Sequence, residues 1–480
     1  MLTPGSNCWR IEPATRVSVI VDADDYFRVA RDAMLNAKHR IMLIGWDFDA
    51  RIRLGDVGQD DGPEQLGAFV SWLANRNPAL DFYLLRWDLG AIKSLFRGTT
   101  AFTVLNWMRN KRIHTKLDAT HPPGASHHQK IVIIDDCFAF CGGIDMTGDR
   151  WDTRAHADDD PERHQPNGKP YKPWHDATTA LQGKAAGALA ELGRDRWHRA
   201  GGKPIGPLDA ATGYWPAMLP VHFHDAEVAI ARSEPEMPGY PGVTEIEQLY
   251  IDQIAAAEHV IYAESQYFAS RKIAEAIGKR VAEENGPEIV LINPEAAQGW
   301  LEPLAMDTAR ARLFEAIRRL DTHKRFRIYH PYTAAGEAIY VHAKILIADD
   351  RSLRVGSSNM NNRSLRLDTE CDITIDACLP PNRACGDVVT TIRNDLLAEH
   401  LGVPIETIVA TLEQTGSLIA TIEALRGSGK TLRPYETPNL SEVETWLADN
   451  EVLDPEGPGE MFESTTKRGL FRNRRWRKPR

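Results

Sequence analysis

The chain has 480 residues, 42% of them hydrophobic, and a formal net charge of −10; this allows two large or two to four ordinary domains and argues against a broad cationic footprint for nucleic acid. No run reaches the ~20 consecutive apolar residues of a membrane span, and the N-terminal "MLTPGSNCWRIEPATR" lacks the basic start and apolar core of an export signal, so a cytoplasmic or peripheral-membrane location is expected. The six cysteines are scattered; reduced thiols are expected, with no disulfide framework and no zinc site.

In chain order, "DAMLNAKHRIMLIGWDF" (32 to 48) reads as a helix running into a buried strand. Strands are predicted at "LDFYLLRW" (80 to 87) and "RIHTKL" (112 to 117). In "HHQKIVIID" (127 to 135), the apolar run Ile131 to Ile134 reads as a strand buried on both faces. His128 and Lys130, two apart, share one side at its start, whereas His127 faces the other way and reads as packing. A long irregular stretch, 150 to 174, precedes a helix at "AAGALAELGRDRW" (185 to 197). The Gly- and Pro-rich residues 200 to 220 mark a boundary.

The second part repeats the first. "DQIAAAEHVIYAESQYF" (252 to 268) aligns with 32 to 48 without a gap, pairing His39 with His259; these two histidines read as helix-end residues. "VHAKILIADD" (341 to 350) repeats H-x-K-x-x-x-x-D as His342, Lys344 and Asp349, matching His128, Lys130 and Asp135. "GGID" (142 to 145) and "GSSN" (356 to 359) follow the motifs after equal gaps. Strands at "PEIVLINP" (287 to 294) and "RFRIYHP" (325 to 331) and a helix at "VVTTIRNDLLAEHL" (388 to 401) complete the repeat. Strands alternating with helices predict an α/β class with a mixed, largely parallel sheet in each half. The expected division is 1–205, 206–429 and an appended arm, 430–480. Its end, "KRGLFRNRRWRKPR" (467 to 480), carries eight basic and no acidic residues, so the chain before it stands at −18. With Leu470, Phe471 and Trp476 this tail suits either peripheral contact with an anionic membrane or plain solvation.

The two motifs, with "GGIDMTGDRWDT", "PWHDATTALQG", "IYAESQYF", "GSSNMNNRS" and "RNDLLAEHLG", resemble the phospholipase D superfamily, and within it the phosphatidylcholine-type phospholipases D, over about residues 8 to 405. The resemblance implies two duplicated α/β sandwich domains related by a pseudo-twofold axis, with the active site at their interface, no cofactor and no metal in the reaction. It also implies a phospholipid substrate met at a membrane surface, with no nucleic acid partner and a monomeric chain. Nucleases, cardiolipin and phosphatidylserine synthases and tyrosyl-DNA phosphodiesterases share the histidine chemistry. The acidic core weighs against a nuclease, the lack of membrane spans against a cardiolipin synthase and the two motif aspartates against a tyrosyl-DNA phosphodiesterase; another phosphodiesterase or transferase of the superfamily, such as a phosphatidylserine synthase, is the alternative.

A phosphodiester repels nucleophiles, so charge must be neutralised and the leaving oxygen protonated. The resemblance assigns His128 as nucleophile and His342 as general acid, a choice that motif symmetry leaves open; Lys130 and Lys344 stand where a metal would. Glu370 in "LDTECDITI" is expected to orient the second-motif histidine, and Asp176 in "PWHDATT" to orient His128. Asn359, Gly356 and Ser357 are expected at the phosphate. Asp145, which stands where many members have Asn, is expected on the headgroup side or in a structural role. Trp46, Asp47, Gln266 and Tyr267 either line the cleft or pack at its rim, and Asp135 and Asp349 are expected to bond turn amides.

Overall fold

The computed structural model describes residues 2–55, 61–88, 100–208, 213–297 and 302–437; the basic tail at 467–480 lies outside the described residues. The first half contains β1 (Arg10–Val21), α1 (Ala23–Leu35), β2 (Arg40–Gly45), α2 (Leu66–Arg76), β3 (Asp81–Trp87), α3 (Thr100–Arg109), β4 (Ile113–Asp118), β5 (Ile131–Ile134), β6 (Phe138–Gly142), β7 (Trp174–His175), β8 (Ala177–Gly183) and α4 (Lys184–Arg199). The second half runs β9 (Phe223–Glu234), β10 (Val243–Thr244), α5 (Glu245–Ala256), β11 (Val260–Glu264), α6 (Arg271–Val281), β12 (Glu288–Ile292), α7 (Glu302–Leu320), β13 (Phe326–Tyr332), β14 (Tyr340–Val341), β15 (Ile345–Ala348), β16 (Ser352–Gly356), β17 (Glu370–Asp376) and α8 (Gly386–Leu401). Two helices that the repeat does not foretell, α9 (Ile405–Thr415) and α10 (Leu418–Leu425), lead to β18 (Thr431–Pro434).

One continuous sheet spans both halves, in the order β18-β13-β12-β11-β15-β16-β17-β9-β1-β8-β6-β5-β2-β3-β4, with β10 pairing on β9. Reading outward from the central β9–β1 pair, each strand as far as β13 and β4 meets its repeat partner at the same rank, as a pseudo-twofold axis requires, and β18 extends one edge alone. The expected largely parallel sheet is corrected. Within this sheet, parallel pairing is confined to β2-β3-β4 and β11-β12-β13, where helices supply the crossovers, while the strands around the centre pair antiparallel. Hairpins such as β5–β6 need only a short turn, whereas a parallel return needs a crossover of a dozen or more residues. A second correction concerns the arm at 430: its first residues form the edge strand β18, antiparallel to β13, so they complete the second half.

The apolar runs around the motifs become core. Ile131 to Ile134 and Ile345 to Ala348 are buried throughout, each central strand being covered on both faces. Asp135 and Asp349 end these strands with left-handed φ of 50° and 55°, a conformation Asp tolerates. The Asp135 carboxylate accepts the Lys38, His39 and Arg40 amides at 2.7–2.8 Å, and Asp349 accepts those of Glu258, His259 and Val260 at 2.8 Å. Each motif aspartate thus ties its own hairpin to the helix-to-strand turn next to it.

Candidate active site

Two short backbone pairings build the site, and both cross between halves. Residues 126–128 run beside 368–370: Thr369 N–H donates to the Ser126 carbonyl and His128 N–H to the Thr369 carbonyl, both at 2.9 Å. Likewise β14 runs parallel to β7, and His342 N–H donates to the His175 carbonyl at 2.7 Å. Each motif histidine is therefore carried alongside the segment that ends in the other half's carboxylate.

The expected carboxylate assignment is accordingly corrected. Glu370 holds His128, with Nδ1 3.0 Å from both carboxylate oxygens, and Asp176 holds His342, at 2.6 Å from Nδ1. Position along the chain favoured pairs within one half; the parallel segments exchange them. His128 Nδ1 also lies 3.1 Å from the Ser357 carbonyl, which can only accept. Nδ1 therefore carries the proton and Nε2 keeps its lone pair. The two rings face each other at 6.4 Å between centroids.

The lysines differ. Lys130 Nζ donates to the His128 carbonyl at 2.7 Å and pairs with Asp145 at 3.1 Å. Lys344 Nζ donates to the His342 carbonyl and to Gln266 Oε1 at 3.4 Å, and among the described residues no carboxylate lies within ion-pair distance of it. Burial lowers Lys344 to about 7. Burial, followed by the neighbouring lysines, holds both motif histidines well below their usual value, and burial pushes Glu370 up to about 8. A group that loses water and gains like-charged neighbours shifts toward its neutral form.

Asn359 Nδ2 donates to Gln266 Oε1 at 3.2 Å, and Gln266 Nε2 donates to the Tyr267 and Tyr340 hydroxyls. Asn359 Oδ1 is buried without a hydrogen-bond partner. The 356–359 turn is fixed by Asp372, which accepts the Ser357 and Ser358 amides and is itself paired with buried Arg354 at 2.6 Å. A Cβ on Gly356 would sit 1.9 Å from Asp372 Oδ1, and one on Gly143 would sit 2.2 Å from Asp176 Oδ1, so only glycine lets these carboxylates come so close. Ser357 Oγ donates to Glu370 at 2.5 Å, which places Ser357 behind the histidine, on its carboxylate. Trp46 stacks on Trp87 at 5.8 Å. Asp47 accepts the Thr147 hydroxyl at 3.0 Å. His127 is buried between Thr369 and Asp118.

Sequence reading missed Arg150, Trp174 and Tyr340. The Arg150 guanidinium lies over the Trp174 ring at 4.2 Å, and that ring stacks on Tyr340 at 4.7 Å and meets the His342 ring, tilted, at 5.1 Å. The signal was present in "GDRWDT" and "KPWHD", where a cation and an aromatic flank motif residues.

Fold and geometry together describe a duplicated α/β chain whose two histidine–carboxylate pairs meet across one interface. A family model described as phospholipase D matches residues 33–213 and 317–447, and one described as cardiolipin synthase, phospholipase D-like domain, matches 250–379; the chain belongs to the phospholipase D superfamily, whose enzymes act on phosphodiester bonds. It is similar to phospholipase D A of Dictyostelium discoideum (26% identity, 73% of this chain and 32% of that one). It is also similar to phospholipase D alpha 1 of Carica papaya (25%, 77% and 63%). The chain thus spans less than two thirds of the length of these relatives. Among solved structures, phosphatidylserine synthase of Haemophilus influenzae Rd KW20 shares the fold at a TM-score of 0.56 and 13% identity, over 86% of this chain and 96% of that one. Among the described residues no helix is long and apolar enough to cross a membrane.

Proposed function

We propose that this protein is a phospholipase D that cleaves phosphatidylcholine-type lipids to phosphatidic acid and the free headgroup alcohol, and that transfers the phosphatidyl group to primary alcohols. The observation that carries the reading is the pair of opposed histidines, each held at Nδ1 by a buried carboxylate. The names of the relatives favour the lipid substrate.

In the first step His128 Nε2 forms a bond to phosphorus while the bond from phosphorus to the headgroup oxygen breaks, and His342 gives its Nε2 proton to that oxygen. Glu370 keeps the Nδ1 proton on His128 and stabilises the charge the ring acquires. In the second step water or an alcohol attacks phosphorus, gives its proton to His342, and the P–N bond breaks. Without substrate, burial and the lysines favour a neutral His342; an anionic phosphodiester among these cations raises it toward the protonated form the acid needs. Lys344 neutralises charge on the phosphate oxygens and Asn359 offers them its amide, while Lys130 is held by Asp145. The basic tail carries the chain to anionic lipid surfaces.

Incubating the protein with phosphatidylcholine vesicles and a primary alcohol should yield both phosphatidic acid and the phosphatidyl alcohol. Cleavage of DNA in a parallel reaction, with neither lipid product, would overturn the substrate and leave the two-histidine chemistry intact.

A further inference from the structure

Behind the crossed carboxylates, two thiols meet across the junction of the halves. Cys141 lies on β6 of the first half and Cys371 on β17 of the second, strands that pack against each other. Both are free thiols, at 1% and 0% exposure. The Cys141 S–H donates to the Cys371 carbonyl, 3.5 Å from Sγ, and the two thiols are in hydrogen-bond contact. They are 230 positions apart in the chain, so only the docking of the halves brings them together.

Packing alone does not call for sulfur here. The offset of 214 between the motifs relates Cys141 to Val355, and the carboxylates relate Cys371, next after Glu370, to Ala177, next after Asp176. β8 packs against β16 as β6 does against β17, and all four residues lie in one core that spans both halves. At one of two equivalent places the frame is filled by aliphatic side chains; at the other it holds the one pairing of side chains that can become a covalent bond. A disulfide needs its sulfurs about 2.05 Å apart. Two thiols already in contact reach that by side-chain rotation and an approach of the strands on the order of an ångström.

The backbone around the pair carries the catalytic carboxylates. Cys371 N–H donates to Ser357 Oγ at 3.0 Å, and its carbonyl accepts the Ser357 amide at 3.2 Å. Ser357 in turn donates its hydroxyl to Glu370 at 2.5 Å, and its carbonyl lies 3.1 Å from His128 Nδ1. On the other strand Gly143, two residues after Cys141, is the glycine that Asp176 packs against. A bond between the sulfurs would therefore pull on the frame that aims Glu370 at His128.

We propose that Cys141 and Cys371 are an oxidative cross-linking site, at which a peroxide forms a disulfide that joins the halves and slows catalysis by shifting Glu370 from His128. One sulfur attacks the peroxide, the O–O bond breaks, and a water leaves with a sulfenic acid on that sulfur. The other thiol attacks the sulfenic sulfur, the S–O bond breaks, and a second water leaves. The two thiols supply two electrons and two protons, and the peroxide takes both. The hydrogen bond to Cys371 and burial hold the Cys141 thiol well above its ordinary value, and neither sulfur meets solvent. The reaction is therefore slow, proceeds as the junction opens, and quickens as pH rises. The expectation of reduced thiols rested on their scatter along the chain, which the fold undoes for this pair.

The effect on catalysis rests on the two-histidine reading, whereas the cross-link is read by mass. The full chain, treated with hydrogen peroxide, alkylated in denaturant and digested, should yield the two peptides joined through Cys141 and Cys371. Turnover should fall by about tenfold or more as the cross-linked fraction rises, and dithiothreitol should restore it. Cys141→Val and Cys371→Ala, which place at each position the residue of the other half, should form no bridge and keep their turnover under peroxide. Cys378→Ser, at an exposed cysteine, should leave both effects unchanged. If the core variants do not fold, the wild-type peptide map and its reversal by dithiothreitol decide. Recovery of both cysteines as alkylated thiols, after peroxide has oxidised Cys378, would overturn the site and leave the pair as packing. Full cross-linking with unchanged turnover, or turnover lost without the cross-link, would overturn its hold on catalysis.

Discussion

The two motifs are near copies in sequence but not in charge. Around Lys130 the first half supplies Asp145, so cation and anion cancel at 3.1 Å. Around Lys344 the second half supplies the Gln266 amide, which accepts from Nζ and from Asn359 Nδ2, and among the described residues no carboxylate is in ion-pair contact with Lys344. Asp145 and Asn359 stand at equivalent places, as do Trp46 and Gln266. A duplicated frame has thus been filled asymmetrically: in the proposed mechanism the second half receives the phosphate and the first holds the nucleophile.

Removing either histidine tests this division most severely. His128→Ala and His342→Ala should each lower turnover by roughly 10³-fold or more, since each removes a group that makes or breaks a bond. Circular dichroism should remain unchanged. Near-normal hydrolysis by either variant would remove the residue from the mechanism.

The crossed carboxylates give a sharper test, with losses of roughly 10²-fold for Asp176→Asn and Glu370→Gln through the misplaced imidazole proton. A substrate with a nitrophenol leaving group needs no proton from His342. Such a substrate should restore much of the rate to Asp176→Asn and little to Glu370→Gln. The opposite pattern would reassign His342 as nucleophile, and equal rescue would dissolve the division.

Much of this arrangement was legible because the repeat carries it. The motif spacing, the strands at 80–87, 287–294 and 325–331, and the glycine turns are local signals, and each is present as a strand or turn in the fold. The crossed pairing was not legible. Whether 126–128 lies beside 368–370 or beside its own half's carboxylate depends on how two domains dock, which local pattern does not encode. The same holds for Glu399, 243 residues from His156 and in hydrogen-bond contact with it. The largely parallel sheet was misjudged for a related reason: helices link neighbouring parallel strands only at the sheet's two ends, while its centre is built from hairpins and from the β1–β9 junction of the halves.

The pH profile should separate the halves by limb. Burial raises Glu370 to about 8, so as pH falls below that value the carboxylate protonates and His128 loses its acceptor; kcat/KM should fall by about tenfold per unit on the acid side. Lys344, lowered to about 7, loses its charge as pH rises through that value, which weakens phosphate binding. The optimum should therefore lie between about 7 and 8, and Glu370→Gln should erase the acid limb alone. Stability has its own sign. A carboxyl whose folded value is raised binds protons more tightly when folded, so its contribution is complete below the unfolded value near 4.5 and is lost as pH rises toward 8. Tm should decline over that window in the wild type and less steeply in Glu370→Gln.

Asp145→Asn is the mildest change and isolates the asymmetry itself. It places at 145 the residue type already present at 359, leaves both histidines and their carboxylates in place, and releases Lys130 from its ion pair. A phosphate held between the rings then meets one negative charge fewer, and KM should fall by about two- to fivefold, the order of a single modest charged contact, with kcat little changed. A rise in KM would instead mean that Asp145 bonds the substrate's headgroup. The salt dependence tells the two apart: a lower KM that returns toward the wild-type value with added salt belongs to Lys130 acting on the phosphate, because a freed charge in reach of solvent ions is screened while a carboxylate hydrogen-bonded to a headgroup is much less so.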